Sequence, residues 1–182
     1  MSKKVCIFCG ARTGNSEEII SETKKMVALL ASKDYDLVYG GGNGGLMGLI
    51  ADEFLTHGRK VIGIRPSILL SEENSHDGLT EMISTVDMFE RKKNMVEVSD
   101  SFIALPGGVG TLDEILDVMT LNKINAIHKP MALFDINGFY QKLDGLMDTF
   151  IEYGYLDEEA KGLLIMNSDA EKLVEALEDY KY

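Results

Sequence analysis

Short apolar runs alternate with segments of helical period along the whole chain, and two of those runs empty directly into glycine clusters. Val5–Cys9, Leu37–Tyr39, Val61–Ile64, Phe102–Leu105, Met131–Phe134 and Leu163–Met166 read as short buried strands, with Met82–Val86 as a further short strand. Between them, apolar residues recur at helical spacing from Ile19 to Leu30, with Asn15 or Ser16 as N-cap. Further helices are expected over Leu46–Thr56, ended by His57-Gly58, and over Asp87–Ser99, with Asp87 as the cap. Thr111–Asn122, Phe139–Tyr153 and Asp169–Tyr180 complete the set. The polar stretch from Pro66 to Gly78 reads as a loop or lid.

Strands that alternate with crossover helices must lie parallel, and the helices then cover both faces of the sheet. The expectation is an α/β chain: one Rossmann-like domain over residues 1–182, its parallel sheet flanked by helices on both faces. A chain of 182 residues can bury roughly two-thirds of its unfolded surface and needs no staples.

In such sheets ligands sit beyond the carboxyl ends of the strands, where both glycine clusters fall. Gly40, Gly42 and Gly45 form G-x-G-x-x-G, the weak form of a dinucleotide fingerprint. The cluster follows the second strand rather than the first. The acid that would hold a ribose hydroxyl is missing from Lys60–Arg65. Both points argue against a nicotinamide dinucleotide, and the absence of G-K-[S/T] excludes a P-loop. The second cluster, Pro106-Gly107-Gly108-Val109-Gly110-Thr111, joins a strand to a helix start. Its amides can converge on one anion beside a helix N-terminus, and Thr111 can add a hydroxyl. A tight turn of positive φ explains one such glycine better than three, so phosphate binding is expected.

Thr111-x-x-Glu114 matches a capping box, which would make Glu114 a structural residue of the first helical turn. The rival reading holds the same carboxylate toward a bound sugar. Over residues 87–99, Met88, Phe89, Met95, Val96 and Val98 mark an apolar side, and Glu90, Lys93, Asn94 and Glu97 a polar one. Arg91 and Lys92 project among the apolar residues. Inward cations are costly unless they snorkel to the edge or meet an anion, such as Glu114 or a phosphate. Cys6 and Cys9 fall on opposite sides of a strand with no second pair to complete a zinc site. They read as buried hydrophobes, and no metal is expected.

The net charge of −12 repels nucleic acid and anionic membranes, whose binding rests on phosphate neutralisation. A small anionic substrate remains open to a local nest of amides. No run is long enough for a signal h-region or a bilayer span, so a cytoplasmic protein is expected.

Three motifs together resemble the Lonely Guy (LOG) family: Gly40-Gly41-Gly42-Asn43-Gly44-Gly45-Leu46-Met47-Gly48, Met88-x-x-Arg91-Lys92-x-x-Met95, and Pro106-Gly107-Gly108-x-Gly110-Thr111-x-x-Glu114. Phe8-Cys9-Gly10, Ser99-Asp100-x-Phe102-Ile103-Ala104-Leu105 and Lys129-Pro130 add to the likeness, which runs from about residue 5 to 155. The resemblance implies a homodimeric phosphoribohydrolase without a cofactor. It would release the base from a purine nucleoside 5′-monophosphate, AMP or a cytokinin ribotide. Arg91 and Glu114 fall on the family's catalytic positions. Gly10, Gly42, Asn43, Met88, Lys92, Gly107, Gly108, Gly110 and Thr111 are the candidate substrate contacts. The family was long labelled lysine decarboxylase, a chemistry that normally needs a pyridoxal-phosphate lysine. The chain departs from the family at Leu121-Asn122-Lys123-Ile124, where Trp-x-Gln-Leu is usual. It departs again at Asn125-Ala126-Ile127, where Gly-Ile-His is usual. Both changes bear on the base pocket or the dimer contact. Two other readings stand beside the hydrolase. One is a non-catalytic nucleotide carrier similar to molybdenum-cofactor carrier proteins, and the other an acidic interaction module with vestigial glycine loops.

Overall fold

The structure, a computed structural model, describes residues 2–70 and 75–181. The strands are β1 (Lys3–Phe8), β2 (Tyr35–Tyr39), β3 (Val61–Pro66), β4 (Glu81–Thr85), β5 (Ser101–Ala104), β6 (Met131–Phe134) and β7 (Leu164–Asn167). The helices are α1 (Glu17–Ser32), α2 (Gly45–Thr56), α3 (Ser67–Leu70), α4 (Met88–Val98), α5 (Val109–Lys123), α6 (Gln141–Glu152), α7 (Glu158–Gly162) and α8 (Ala170–Glu178). All seven strands lie parallel in the order β4-β3-β2-β1-β5-β6-β7. The chain moves from the centre to one edge and then returns to the other side of β1. The carboxyl ends of β1 and β5 therefore meet at a topological switch point, the place where such sheets bind ligands.

The period of two along each strand builds two cores. Val5, Ile7, Leu37, Tyr39, Ile103 and Phe134 pack against α1, α2 and α8. Cys6, Phe8, Val38, Ile64, Phe102 and Leu133 pack on the opposite face against α4, α5 and Tyr140. Cys6 and Cys9 fall in different cores, as their spacing requires, and burial pushes both thiols up. Ser16 caps α1, and the Asp87 carboxylate accepts from the Phe89 and Glu90 amides at 2.9 and 2.8 Å to start α4. The helices that follow the glycine clusters, α2 and α5, begin on Gly44 and Gly108 with no side-chain cap.

The expected loop of residues 66–78 opens as the single turn α3, and residues 71–74 lie outside the described residues. Its far end is strapped to the first glycine cluster. Ser75 pairs with Gly42, and the His76 amide donates to the Gly41 carbonyl at 3.2 Å. The helix expected from Phe139 starts at Gln141 instead, because Asn137 at φ 56° interposes a tight turn. The short α7 was not expected: five residues are too few to show a period, although Asp157 caps them through the Ala160 amide.

Asn122, 1% exposed, ties the end of α5 to the entry of β6. Its amide donates to the Lys129 carbonyl at 3.0 Å and its oxygen accepts from the Lys129 amide at 3.1 Å. Asn122→Ala strands both backbone groups and is expected to lower stability by about 1–3 kcal/mol in urea unfolding with an unchanged m-value. Wild-type stability in that variant would show the tie to be idle.

Candidate active site

The two glycine clusters use their glycines differently. In the second, the Leu105 amide donates to the Phe8 carbonyl at 2.9 Å and the Gly10 amide to the Pro106 carbonyl at 3.2 Å. These bonds stitch the β1 and β5 ends together. A Cβ on Gly107 would stand 2.1 Å from the Thr111 Oγ1, so the buried threonine requires that glycine. Gly108 and Gly110 face open space, with no atom within 4 Å of a built Cβ, and neither has a positive φ. Neither turn geometry nor packing calls for a glycine at those two positions. The first helical bond of α5 runs from the Leu112 amide to the Gly108 carbonyl at 3.2 Å. The amides of Val109, Gly110 and Thr111 precede it and lack a helical acceptor. Bare amides, a helix dipole and missing side chains together leave room for an anion.

The first cluster is filled by the protein itself. A Cβ on Gly40 would stand 2.6 Å from the Arg91 Nη2. Gly45, at φ +61°, lies against the Ala11–Arg12 backbone, where a Cβ would approach the Arg12 nitrogen to 2.3 Å. The Gly42 carbonyl accepts from the Tyr39 hydroxyl at 3.1 Å, and the Asn43 carbonyl is packed against Gly48. Gly10 uses both backbone groups on neighbouring loops, since its carbonyl accepts from the Leu46 amide at 3.1 Å.

Arg91 and Glu114 meet between these clusters. The Arg91 Nη1 lies 2.7 Å from the Glu114 Oε1, and both side chains are only 11% exposed. The Arg91 Nε donates to the Ile64 carbonyl at 3.1 Å. The inward seam of α4 is thus Arg91 and Met95. The expected apolar side is corrected here: Phe89 is 80% and Met88 44% exposed, and Arg91 takes the inward position because Glu114 and Ile64 satisfy it. The capping-box reading of Glu114 also falls. The helix begins at Val109 on Gly108, so Thr111 is not its cap and Glu114 lies in the second turn. Burial pushes the Glu114 carboxyl above the usual carboxylate range, and the Arg91 guanidinium pulls it part of the way back.

Lys92 turns to the flank of α5, with its Nζ 2.5 Å from Asp117 and 3.2 Å from Asp113. These partners were missed in the sequence, although Asp113-Glu114-x-x-Asp117 places three carboxylates within one helical turn. Lys92, Lys93, Glu97, Glu114 and Asp117 line a cavity of about 380 Å³ together with an apolar wall of Phe8, Val96, Val118 and Leu121 among others. Leu121, Ala126 and Ile127 of this wall lie in the segment that departs from the family pattern. A second crevice, about 500 Å³, opens at the switch point between Gly107, Gly108, Leu46 and Arg12, a cation the sequence did not single out.

The parallel sheet makes this a Rossmann-like α/β protein, and the uncapped helix start at the switch point with the buried ion pair beside it form its candidate small-molecule site at the carboxyl edge. The chain belongs to the LOG family: the family model described as "Possible lysine decarboxylase" matches residues 47–177. The chain is 39% identical over 178 residues to the cytokinin riboside 5′-monophosphate phosphoribohydrolase LOG1 of Arabidopsis thaliana, covering 98% of this chain and 84% of that protein. It is 37% identical to LOG3 of the same plant, with 98% and 83% covered. Among solved structures, a molybdenum cofactor binding protein from Rippkaea orientalis superposes with a TM-score of 0.72 at 21% identity, covering 98% of this chain and 96% of that one. The Moco carrier protein from Chlamydomonas reinhardtii gives 0.71 at 17%, with 98% and 96% covered. At these identities the likeness is one of fold.

The decarboxylase description finds no support in the two lysines with carboxylate or buried carbonyl partners on or beside α4, Lys92 and Lys129. An imine-forming lysine must shed its proton, whereas Asp117 and Asp113 raise Lys92. Lys129, which burial lowers, stands at the opposite edge of the sheet, bonded to the Val96 and Ser99 carbonyls.

Because Gly40 yields its space to Arg91, Gly40→Ala is expected to push the guanidinium off Glu114 and, by leaving two buried charges unpaired, to lower stability by about 3–5 kcal/mol. A crystal structure of the variant with the 2.7 Å contact intact would contradict this.

Proposed function

We propose that this protein hydrolyses the N-glycosidic bond of purine nucleoside 5′-monophosphates, of cytokinin type or AMP, to free base and ribose 5-phosphate. The observation that carries the reading is the buried Arg91–Glu114 pair beside open glycines at a bare helix start. The named activity of relatives up to 39% identical across nearly the whole chain supports it.

The phosphate rests on the amides around Gly108, Gly110 and Thr111, and Gly107 leaves room for the Thr111 hydroxyl beneath. Glu114 holds a ribose hydroxyl or the attacking water, and its charge stabilises the oxocarbenium-like transition state. Water adds to C1′, the C1′–N9 bond breaks, and the base leaves with a proton on its ring nitrogen. Arg91 fixes the carboxylate in place. The cavity at Glu114 takes the base, and the apolar part of its wall favours a base that carries an apolar substituent; Met88 is a further substrate contact at the start of α4. Gly10, Gly42 and Asn43 shape the loops around the nucleotide. The whole chain acts as one domain.

The protein works in the cytoplasm as a homodimer. No helix among the described residues is long and apolar enough to cross a membrane. Exposed Leu146, Phe150, Tyr153 and Tyr155 on and just after α6 supply a candidate contact between copies.

Glu114→Gln keeps the shape and removes the charge. It is expected to bind nucleotide normally and to lose about 10²–10³-fold in kcat. In the wild type, kcat/KM falls as the pH drops through the ionisation of Glu114, above the ordinary carboxylate value because the group is buried. Undiminished turnover by Glu114→Gln would remove the carboxylate from the mechanism.

A further inference from the structure

Two consecutive cations on α4 meet three carboxylates on α5. Arg91 takes Glu114, and Lys92 takes the two aspartates on either side of it in sequence. Asp113 and Asp117 are spaced i, i+4, so they lie one above the other on the helix and hold the Lys92 ammonium between them. The Lys92 side chain is 19% exposed, whereas both aspartates are about half exposed. Ion pairs of this exposure contribute little to stability. What they add is a bridge from α4 to α5 one residue away from the Arg91–Glu114 contact.

We infer that Lys92 is a positioning residue for the hydrolysis: bridged to Asp113 and Asp117, its ammonium sets the register of α5 on α4 that keeps Glu114 on Arg91, and its charge offsets that of Asp113 beside the carboxylate. This rests on the reading of Glu114 as the catalytic carboxylate. It gives Lys92 no contact with the phosphate, because the ammonium is already committed to two anions.

The charged and titratable groups facing Glu114 define the electrostatic side of the inference. From α4 come Arg91 and Lys92, and from its own helix Asp113. From β1 comes the buried thiol of Cys6, and from the residue that follows β1 that of Cys9, both of which burial keeps neutral. β3 contributes the Ile64 carbonyl, which is taken by Arg91. Within this set Lys92 favours the ionised carboxylate and Asp113 disfavours it.

Lys92→Met removes the clamp and Asp113→Asn one of its two arms, and they change the local charge with opposite sign. The test follows the Glu114 carboxyl by carbon NMR titration in the intact protein, alongside kcat and KM for N6-isopentenyl-adenosine monophosphate. The titration is expected to move upward in Lys92→Met and downward in Asp113→Asn. Lys92→Met should lose kcat about tenfold or more at unchanged KM, and Lys92→Arg should restore most of it. Shifts of the same sign, or none, would overturn the inference and leave a merely structural clamp. A raised KM at wild-type kcat in Lys92→Met would also overturn it, making Lys92 a substrate contact. The titration reads out even in a protein that hydrolyses nothing, so failure here is separable from failure of the hydrolase reading.

Discussion

The pair of Arg91 and Glu114 is the contact on which the arrangement of the site depends. One guanidinium joins four elements: it grows from α4, donates to the carbonyl of Ile64 on β3, fills the space left by Gly40 after β2, and holds the carboxylate of α5. A buried pair of this kind gives little net stability, because desolvation offsets much of the attraction, yet losing one partner is costly. Its persistence inside the fold is better explained by what the carboxylate does there than by what the pair adds to folding. Two pulls act on that carboxylate. Burial favours the neutral acid and Arg91 the ion, with burial the larger.

The glycine clusters show that similar sequence patterns can serve unlike ends. The first, which matches a dinucleotide fingerprint, is spent on internal packing: Gly40 on Arg91, Gly45 on the loop after β1, Gly48 on Asn43. The second keeps Gly108 and Gly110 bare at the start of a helix. The fingerprint cluster thus shapes the site, and the shorter cluster opens it. The departure from the family pattern at residues 121–127 falls on the wall of the cavity rather than on the ion pair.

Much of this was legible in the sequence. Runs of three to five residues and helical periods placed the seven strands and the six longer helices among the described residues, because each element buries one regular face. Both members of the ion pair were singled out, one as an inward cation and the other as a carboxylate near a glycine loop. What the sequence hid has specific causes. A helix wheel weighs Met88 and Phe89 as inward because it cannot see that Glu114 and the Ile64 carbonyl satisfy Arg91 in their place. Thr111 looked like a cap because the true cap, Gly108, has no side chain to mark it. The need for glycine at position 40 arises from a residue far along the chain, and such a contact leaves no local pattern.

The most direct test incubates the purified protein with N6-isopentenyl-adenosine monophosphate and AMP and separates the products by chromatography, with Arg91→Ala alongside. The account predicts free base and ribose 5-phosphate in equal amounts from the wild type, and intact nucleotide from the variant. Nucleotide that is bound but never cleaved by the wild type would contradict it and make the protein a carrier.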